Sequence, residues 1–284
     1  MELDPEGIVP PDSDVQAGRD TVVLGIEAML EDERYEEALA AIEAAQGAGQ
    51  GNQLDLCFLA GDANLALGRS TEAERRFRAV LQQDPDCPSS RCWLAMSLFL
   101  QWRFDEAEVA AEAARELPDA IVDSHVVQGV LFEHRGRFDE ADACFELAAA
   151  IAPEKYPMPQ RMSRAEFDRE VRKAARKLPR QFRQCLDRVP VIVQDLPHAE
   201  LVADGGEELA PDILGLFDGV PLPDTEDFDG VVARPNRIYL FQRNLERAAQ
   251  DGDDLIEQIR ITLWHELGHY LGFEEEDMYD LGLA

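Results

Sequence analysis

A five-residue block recurs along the first half of the chain and restricts its fold more than any other feature. Arg103-Phe104-Asp105-Glu106-Ala107 returns 34 residues later as Arg137-Phe138-Asp139-Glu140-Ala141. Arg69-Ser70-Thr71-Glu72-Ala73 stands 34 residues earlier, and Arg34-Tyr35-Glu36-Glu37-Ala38 precedes that by 35. Each block sits between two helical patterns. A period of this length describes a helix-turn-helix unit that cannot bury its apolar face alone, so neighbouring units must stack. Other positions keep the register. Gly61 and Gly129 fall in first helices, and Phe77 and Phe145 in second helices. Small residues at such sites let paired helices approach. Pro85, Pro118 and Pro153 stand near the repeat ends and stop the second helices.

Over residues 20–154 this pattern resembles the tetratricopeptide repeat. The resemblance is closest in the second and fourth units, and weakest in the first, as suits an end cap. It implies an all-α superhelix (a TPR domain) whose curved surface holds a peptide or a protein partner. The alternative is a spacer that orients the C-terminal domain. His125, at an aromatic position of the repeat, is expected to pack in the core. His134, near a helix end, is expected to be solvated, and neither is assigned to a metal. Cys57, Trp93 and Phe132 read as packing between helices.

Ahead of the repeats, residues 1–19 hold Pro5, Pro10 and Pro11 among acidic residues with little to bury. They are expected to form a disordered leader. The chain carries 27 Lys and Arg against 58 Asp and Glu, a net charge of −31. Such a field repels nucleic acid and anionic membranes, so neither is expected as a partner. No apolar run reaches the length of a membrane span, and no signal peptide is visible. Cys57, Cys87, Cys92, Cys144 and Cys185 are odd in number and lack zinc or redox spacing. They read as reduced thiols of a cytoplasmic protein.

Residues 155–162, with Pro157 and Pro159, read as a linker, and a second domain over 163–284 comes after it. It opens on an amphipathic helix with Ser163 and Glu166 set for a capping box. Phe167, Val171, Ala174 and Ala175 mark the buried stripe. Arg169, Arg172, Lys173, Arg176 and Lys177 form a basic face, which either docks on the acidic repeats or stays solvated. Leu178-Pro179 should kink or split the helix. Three strands come next, at Val189–Asp195, Leu214–Val220 and Arg237–Arg243, the last with alternating faces. His198 is expected in a solvated loop.

The final helix, expected over 254–272, carries His265-Glu266-Leu267-Gly268-His269. Ile256, Ile259, Leu263, Leu267 and Leu271 recur at helical spacing and face a core. Two histidines four apart stack one turn above each other, about 6 Å along the axis. So placed, they can grip one tetrahedral zinc. Glu266 points round the helix, placed to take a proton rather than to bind metal. Gly272 can end the helix in a left-handed conformation and turn the chain back. The run Glu274-Glu275-Glu276-Asp277 then returns towards the histidines. Glu275 is the first candidate for a third ligand, with Glu274, Glu276 and Asp277 left open. Met278 reads as a core contact on a short final helix.

Residues 163–284 resemble a family of small bacterial zincin-like metallopeptidases. The resemblance is carried in order by Leu178-Pro179 with Phe182, Val191–Asp195, Gly215–Leu222, Arg237–Phe241, Ile259–His269 and Leu281-Gly282-Leu283. It implies a minimal α+β fold, zinc at His265 and His269, and a base at Glu266. The chain thus reads as a two-domain zinc-dependent peptidase whose repeats recruit or orient a protein substrate. Its strand Arg237–Arg243 is a candidate edge for an extended substrate, and Tyr239 or Tyr270 a candidate oxyanion donor. A rival reading is an adaptor whose metal domain turns over little. A purely structural zinc would leave Glu266 without a role.

Overall fold

The computed structural model describes residues 21–117, 119–203, 209–222, 235–273 and 277–278. The leader and Pro118 lie outside them. Contacts divide the chain into two compact units. One runs to Leu98 and includes Asp105–Ile121; the other combines Phe99–Phe104 with Val122–Ala284.

The first unit contains α1 (Thr21–Glu31), α2 (Tyr35–Ala48), α3 (Gln53–Ala66), α4 (Ser70–Gln83) and most of α5 (Pro88–Phe99) and α6 (Phe104–Arg115). Val23, Ile26, Ala38, Ile42, Leu56 and Leu59 build one core cluster between its first helices. The second unit begins with a further hairpin, α7 (Asp123–His134) and α8 (Phe138–Ile151).

The repeat is written into the backbone. Glu33, Gly68, Trp102 and Gly136 each precede the arginine of the recurring block, and all four have positive φ, between 59° and 72°. The amides of Arg34, Arg69 and Arg137 each bond the carbonyl five residues back, on Met29, Asn64 and Phe132, at 2.8–2.9 Å. This is a helix C-terminal turn that needs one left-handed residue, normally glycine. Side-chain packing repeats as well. A Cβ on Gly61 would meet the ring of Phe77 at 2.6 Å, and one on Gly129 would meet Phe145 at 2.6 Å. Phe77 and Phe145 are thereby buried, each contributing roughly 1.5–3 kcal/mol.

In the second unit the stretch 155–162 is fastened rather than loose. Tyr156 and Lys155 bond Asp123 of α7. The Arg161 guanidinium reaches Glu133 at 2.7 Å, Asp142 at 3.0 Å and Glu246 at 3.1 Å. Arg247 also pairs with Glu133, whose side chain is fully buried. A carboxylate so buried is tolerable only with partners of this kind.

Next come α9 (Arg164–Lys177), α10 (Arg180–Arg183), β1 (Val191–Gln194), α11 (Ala199–Ala203), β2 (Gly215–Asp218), β3 (Arg237–Phe241), α12 (Gln242–Ala248) and α13 (Gly252–Leu271). The capping box forms, with the Ser163 side chain accepting from Glu166 N and Glu166 from Ser163 N. Pro179 separates α9 from α10, as a residue without an amide proton must.

The sheet order is β1-β3-β2, with β1 parallel and β2 antiparallel to β3. The third strand is therefore central, and the expectation of a free edge at Arg237–Arg243 is overturned. Successive side chains alternate between its two faces, but exposure does not alternate with them. Ile238, Tyr239, Leu240 and Phe241 are all buried, because both faces of a central strand are covered. Ile238 and Leu240 join Phe167, Val171, Leu178, Ile259, Leu263 and Leu267 in one core.

Candidate metal centre

The helix that carries the histidines starts at Asp251, whose side chain accepts from the amides of Asp253 and Asp254. It succeeds α12 rather than the third strand directly. Its buried stripe is Leu255, Ile259, Leu263, Leu267 and Tyr270, with Thr262 and Glu266 between them. Ile256 and Leu271, expected in the stripe, are half-buried. The helix is held between α9 and the sheet, which shifts the buried stripe towards Leu255 and Tyr270. Gly272 ends it in the left-handed conformation, φ 79°, with its amide on Gly268 and His269 carbonyls.

His265 and His269 lie on one side of this helix, half-buried, with Nε2 atoms 3.1 Å apart and rings crossed at 86°. Two imidazole nitrogens at about 2.0–2.1 Å from one tetrahedral ion lie about 3.3 Å apart, so the pair fits a shared zinc. Glu266 is buried. Gly215 of β2 makes room for it: a Cβ there would meet Glu266 Oε1 at 2.8 Å and Thr262 Cγ2 at 2.6 Å. The carboxylate is thus pinned between the helix and β2, one residue from His265.

Beneath the helix, Gly268 faces Met278. A Cβ on Gly268 would overlap the thioether, and Met278 is fully buried. The methionine is a core contact, as expected. Glu274, Glu275 and Glu276 lie outside the described residues, and Asp277 is exposed. Among the described residues no three His, Cys, Asp or Glu side chains form a ligand set.

The flanks of α13 are set by two contacts. Trp264 Nε1 donates to the Ala174 carbonyl of α9 at 3.3 Å. Phe182 of α10 packs edge-on against Phe273, just past Gly272, with centroids 6.3 Å apart. Tyr270 lies tilted against Phe217 of β2, with ring centroids 5.7 Å apart. Tyr239 is paired with Arg237 at 3.3 Å, next to Ile238 and Leu240, which point the other way into the core with α13. That alternation puts Tyr239 on the face away from α13, so it is not an oxyanion donor for this centre.

Gly215 and Gly268 escaped sequence reasoning as site residues. Their signal was available, since a glycine inside a strand or helix marks close approach. His134 departs from the sequence expectation: it lies against the rings of Phe99 and Phe104, centroids 4.9 and 5.0 Å away, and not in solvent. Burial, then the charges of Arg247 and His198, push its pKa down to about 3. His198 is exposed, as expected.

Comparison with known proteins finds two kinds of module in the chain. Residues 186–283 match the model of the Zincin-like metallopeptidase family. Residues 58–121 and 122–155 match tetratricopeptide repeat models. The chain therefore carries tetratricopeptide repeats and, after them, a zincin-like metallopeptidase domain. No curated protein matches it. Among solved structures it is similar to YrrB, described as a TPR protein with an unusual peptide-binding site. That match has 22% identity and a TM-score of 0.38, and covers 45% of this chain and 66% of that one. It is also similar to TTC0263, a thermophilic TPR protein of Thermus thermophilus, at 17% identity and a TM-score of 0.42, covering 60% and 90%. MamA matches at 16% identity and a TM-score of 0.38, covering 45% and 74%. No helix among the described residues is long and apolar enough to cross a membrane.

Proposed function

We propose that this protein is a zinc-dependent peptidase, with its repeats over 20–154 recruiting or orienting a protein substrate and its hydrolytic domain over 163–284. The observation that carries the reading is the pair of imidazole nitrogens 3.1 Å apart with a buried carboxylate beside them. His265 and His269 would hold the ion, with a third ligand from the acidic run, Glu275 first among Glu274–Asp277. When bound, zinc polarises the scissile carbonyl and lowers the pKa of water. Glu266 accepts a proton from the attacking water and returns it to the departing amine, so the peptide bond is replaced by a carboxyl and an amine. Its burial against Gly215 fixes the carboxylate for that transfer. With β3 in the centre of the sheet, β2 is an outer strand, beside α13, among the described residues. An extended substrate pairing along β2 would pass Glu266.

The test is paired. Bound metal is measured, then cleavage of a peptide library by wild type and by Glu266→Gln is compared. Stoichiometric zinc with cleavage confined to the wild type supports the peptidase. Zinc with no cleavage of any peptide transfers the case to the adaptor. Absence of metal at neutral pH sinks both zinc readings.

A further inference from the structure

Charge is distributed unevenly along this acidic chain. Residues 163–190 hold nine Lys and Arg against four Asp and Glu, leaving 18 against 54 elsewhere. The nine lie on α9, on α10 and just beyond. Phe167, Val171, Ala174 and Leu178 are buried, so the helix cannot roll, and its opposite face is fixed outward. Arg169, Arg172, Lys173, Arg176, Lys177 and Arg180 are all exposed. On α9, Glu166 is taken by the capping box, Glu170 pairs with Lys173 at 2.7 Å and Asp168 is half-buried, while Glu257 of α13 offsets part of the Lys177 charge. Arg172, Arg176 and Arg180 make no ion pair among the described residues. Like charges four apart on α9, as at Arg169–Lys173 and Arg172–Arg176, repel one another and disfavour the helix. A face that gathers these cations is complementary to an anion.

Its place in the fold adds the second half of the argument. Ala174 receives the Trp264 indole, next to His265, and Phe182 contacts Phe273, just past the helix that carries both histidines. The two helices that bear the basic face thus pack on the helix of the candidate metal centre through their buried side, and the face itself points outward from that contact. Guanidinium groups predominate, and these recognise carboxylates through two parallel hydrogen bonds. Among polyanions, a long nucleic acid or a membrane extends beyond the face and meets the field of the remaining acidic surface. A short acidic segment feels only the local cations, since exposed charges are screened within about 8 Å at physiological salt.

We propose that the outward face of α9 and α10 formed by Arg169, Arg172, Arg176, Lys177 and Arg180 docks an acidic polypeptide segment, on helices packed against the one that carries the metal centre. That the segment belongs to a substrate rests on the peptidase reading; that the face binds it does not.

The test uses the full chain with Glu266→Gln and a labelled, capped peptide of about ten alternating Glu and Ala residues. Extended at roughly 3.3 Å per residue, it outreaches α9. The control peptide has Gln for every Glu. Binding of the Glu peptide only, weakened by added salt, is expected. Replacing Arg169, Arg172, Arg176 and Lys177 together by Gln should weaken it by about tenfold or more, with the melting temperature unchanged or raised. Equal binding of both peptides, or no change on replacing the four cations, overturns the proposal. Tighter binding of a single-stranded oligonucleotide that displaces the peptide also overturns it, in favour of a nucleic-acid face. In a cleavage assay with the wild-type catalytic glutamate, acidic peptides that bind but survive intact refute the peptidase reading and leave the docking face standing.

Discussion

Glycine makes room for a neighbour in both halves of this chain, but over different distances. Gly61 admits the ring of Phe77 and Gly129 that of Phe145, each sixteen positions on. Gly215 admits Glu266, fifty-one positions on. The repeats thus place their contacts at a fixed and countable spacing, and use each contact to bury apolar surface. The zincin-like domain joins strand to helix across a long interval, and the group it seats is a carboxylate. Packing in the first region serves stability, whereas in the second it also fixes the carboxylate proposed above as the proton acceptor.

The largest effect that would sharpen this contrast is on chemistry. Glu266→Gln should lower peptide cleavage by about 10²–10⁴-fold, the usual share of a positioned base. Zinc content and melting temperature should hold. If the melting temperature falls while cleavage persists, Glu266 is a packing residue like Phe77, and the contrast collapses.

Next come the glycines. Gly61→Ala and Gly129→Ala should each cost about 1–3 kcal/mol in urea unfolding, because rings in a filled core have little space to retreat. They should leave the cleavage rate per folded molecule unchanged. Gly215→Ala should cost a similar amount and also depress cleavage, since the added methyl displaces Glu266 or Thr262. Equal activity in all three variants would break the distinction.

Smaller again is the effect of His134. Its pKa is lowered to about 3 in the fold, through burial first and then the charges of Arg247 and His198. The unfolded chain takes up a proton near pH 6.5 that the native state refuses. Stability is therefore complete above about pH 6.5 and declines as pH falls towards 3, by up to about 1.4 kcal/mol per unit. Urea titrations across that range check the slope, and His134→Phe should flatten it. The equivalent repeat positions are Ala66 and Leu100, so this titration has no counterpart there.

The same contrast explains what could be read without coordinates. The repeat period, Pro85 and Pro153 just past their helices, the capping box at Ser163 and the turn at Gly272 are all local, and each was legible. So was the spacing of His265 and His269, because a helix alone sets it. Strand order was not: nothing in Arg237–Phe241 distinguishes a central strand from an edge until β1 and β2 are paired with it. Nor could a helix pattern show that His134 would sit against Phe99 and Phe104, since repeat position says little about which rings a neighbouring turn contributes. Gly215 carried a signal without an address, as strand glycines mark close approach but not to what.

The smallest effect returns to the repeats and asks whether the periodicity is conformational or only packed. Glu33 occupies the left-handed turn position that Gly68 and Gly136 fill elsewhere, with φ 59° and an exposed side chain. An L-residue there costs roughly 1–2 kcal/mol, partly offset because glycine loses more backbone freedom on folding. Glu33→Gly should accordingly raise stability by a few tenths to about 1 kcal/mol, and Gly68→Ala should lower it by a similar amount. Trp102 holds the same conformation, but its indole donates to the Leu209 carbonyl at 2.9 Å and its ring neighbours Phe104. Trp102→Gly should therefore destabilise, because lost contacts outweigh relieved strain. If Glu33→Gly and Trp102→Gly instead shift the unfolding midpoint in the same direction, backbone conformation alone does not govern the turn, and the repeat is held by its packing.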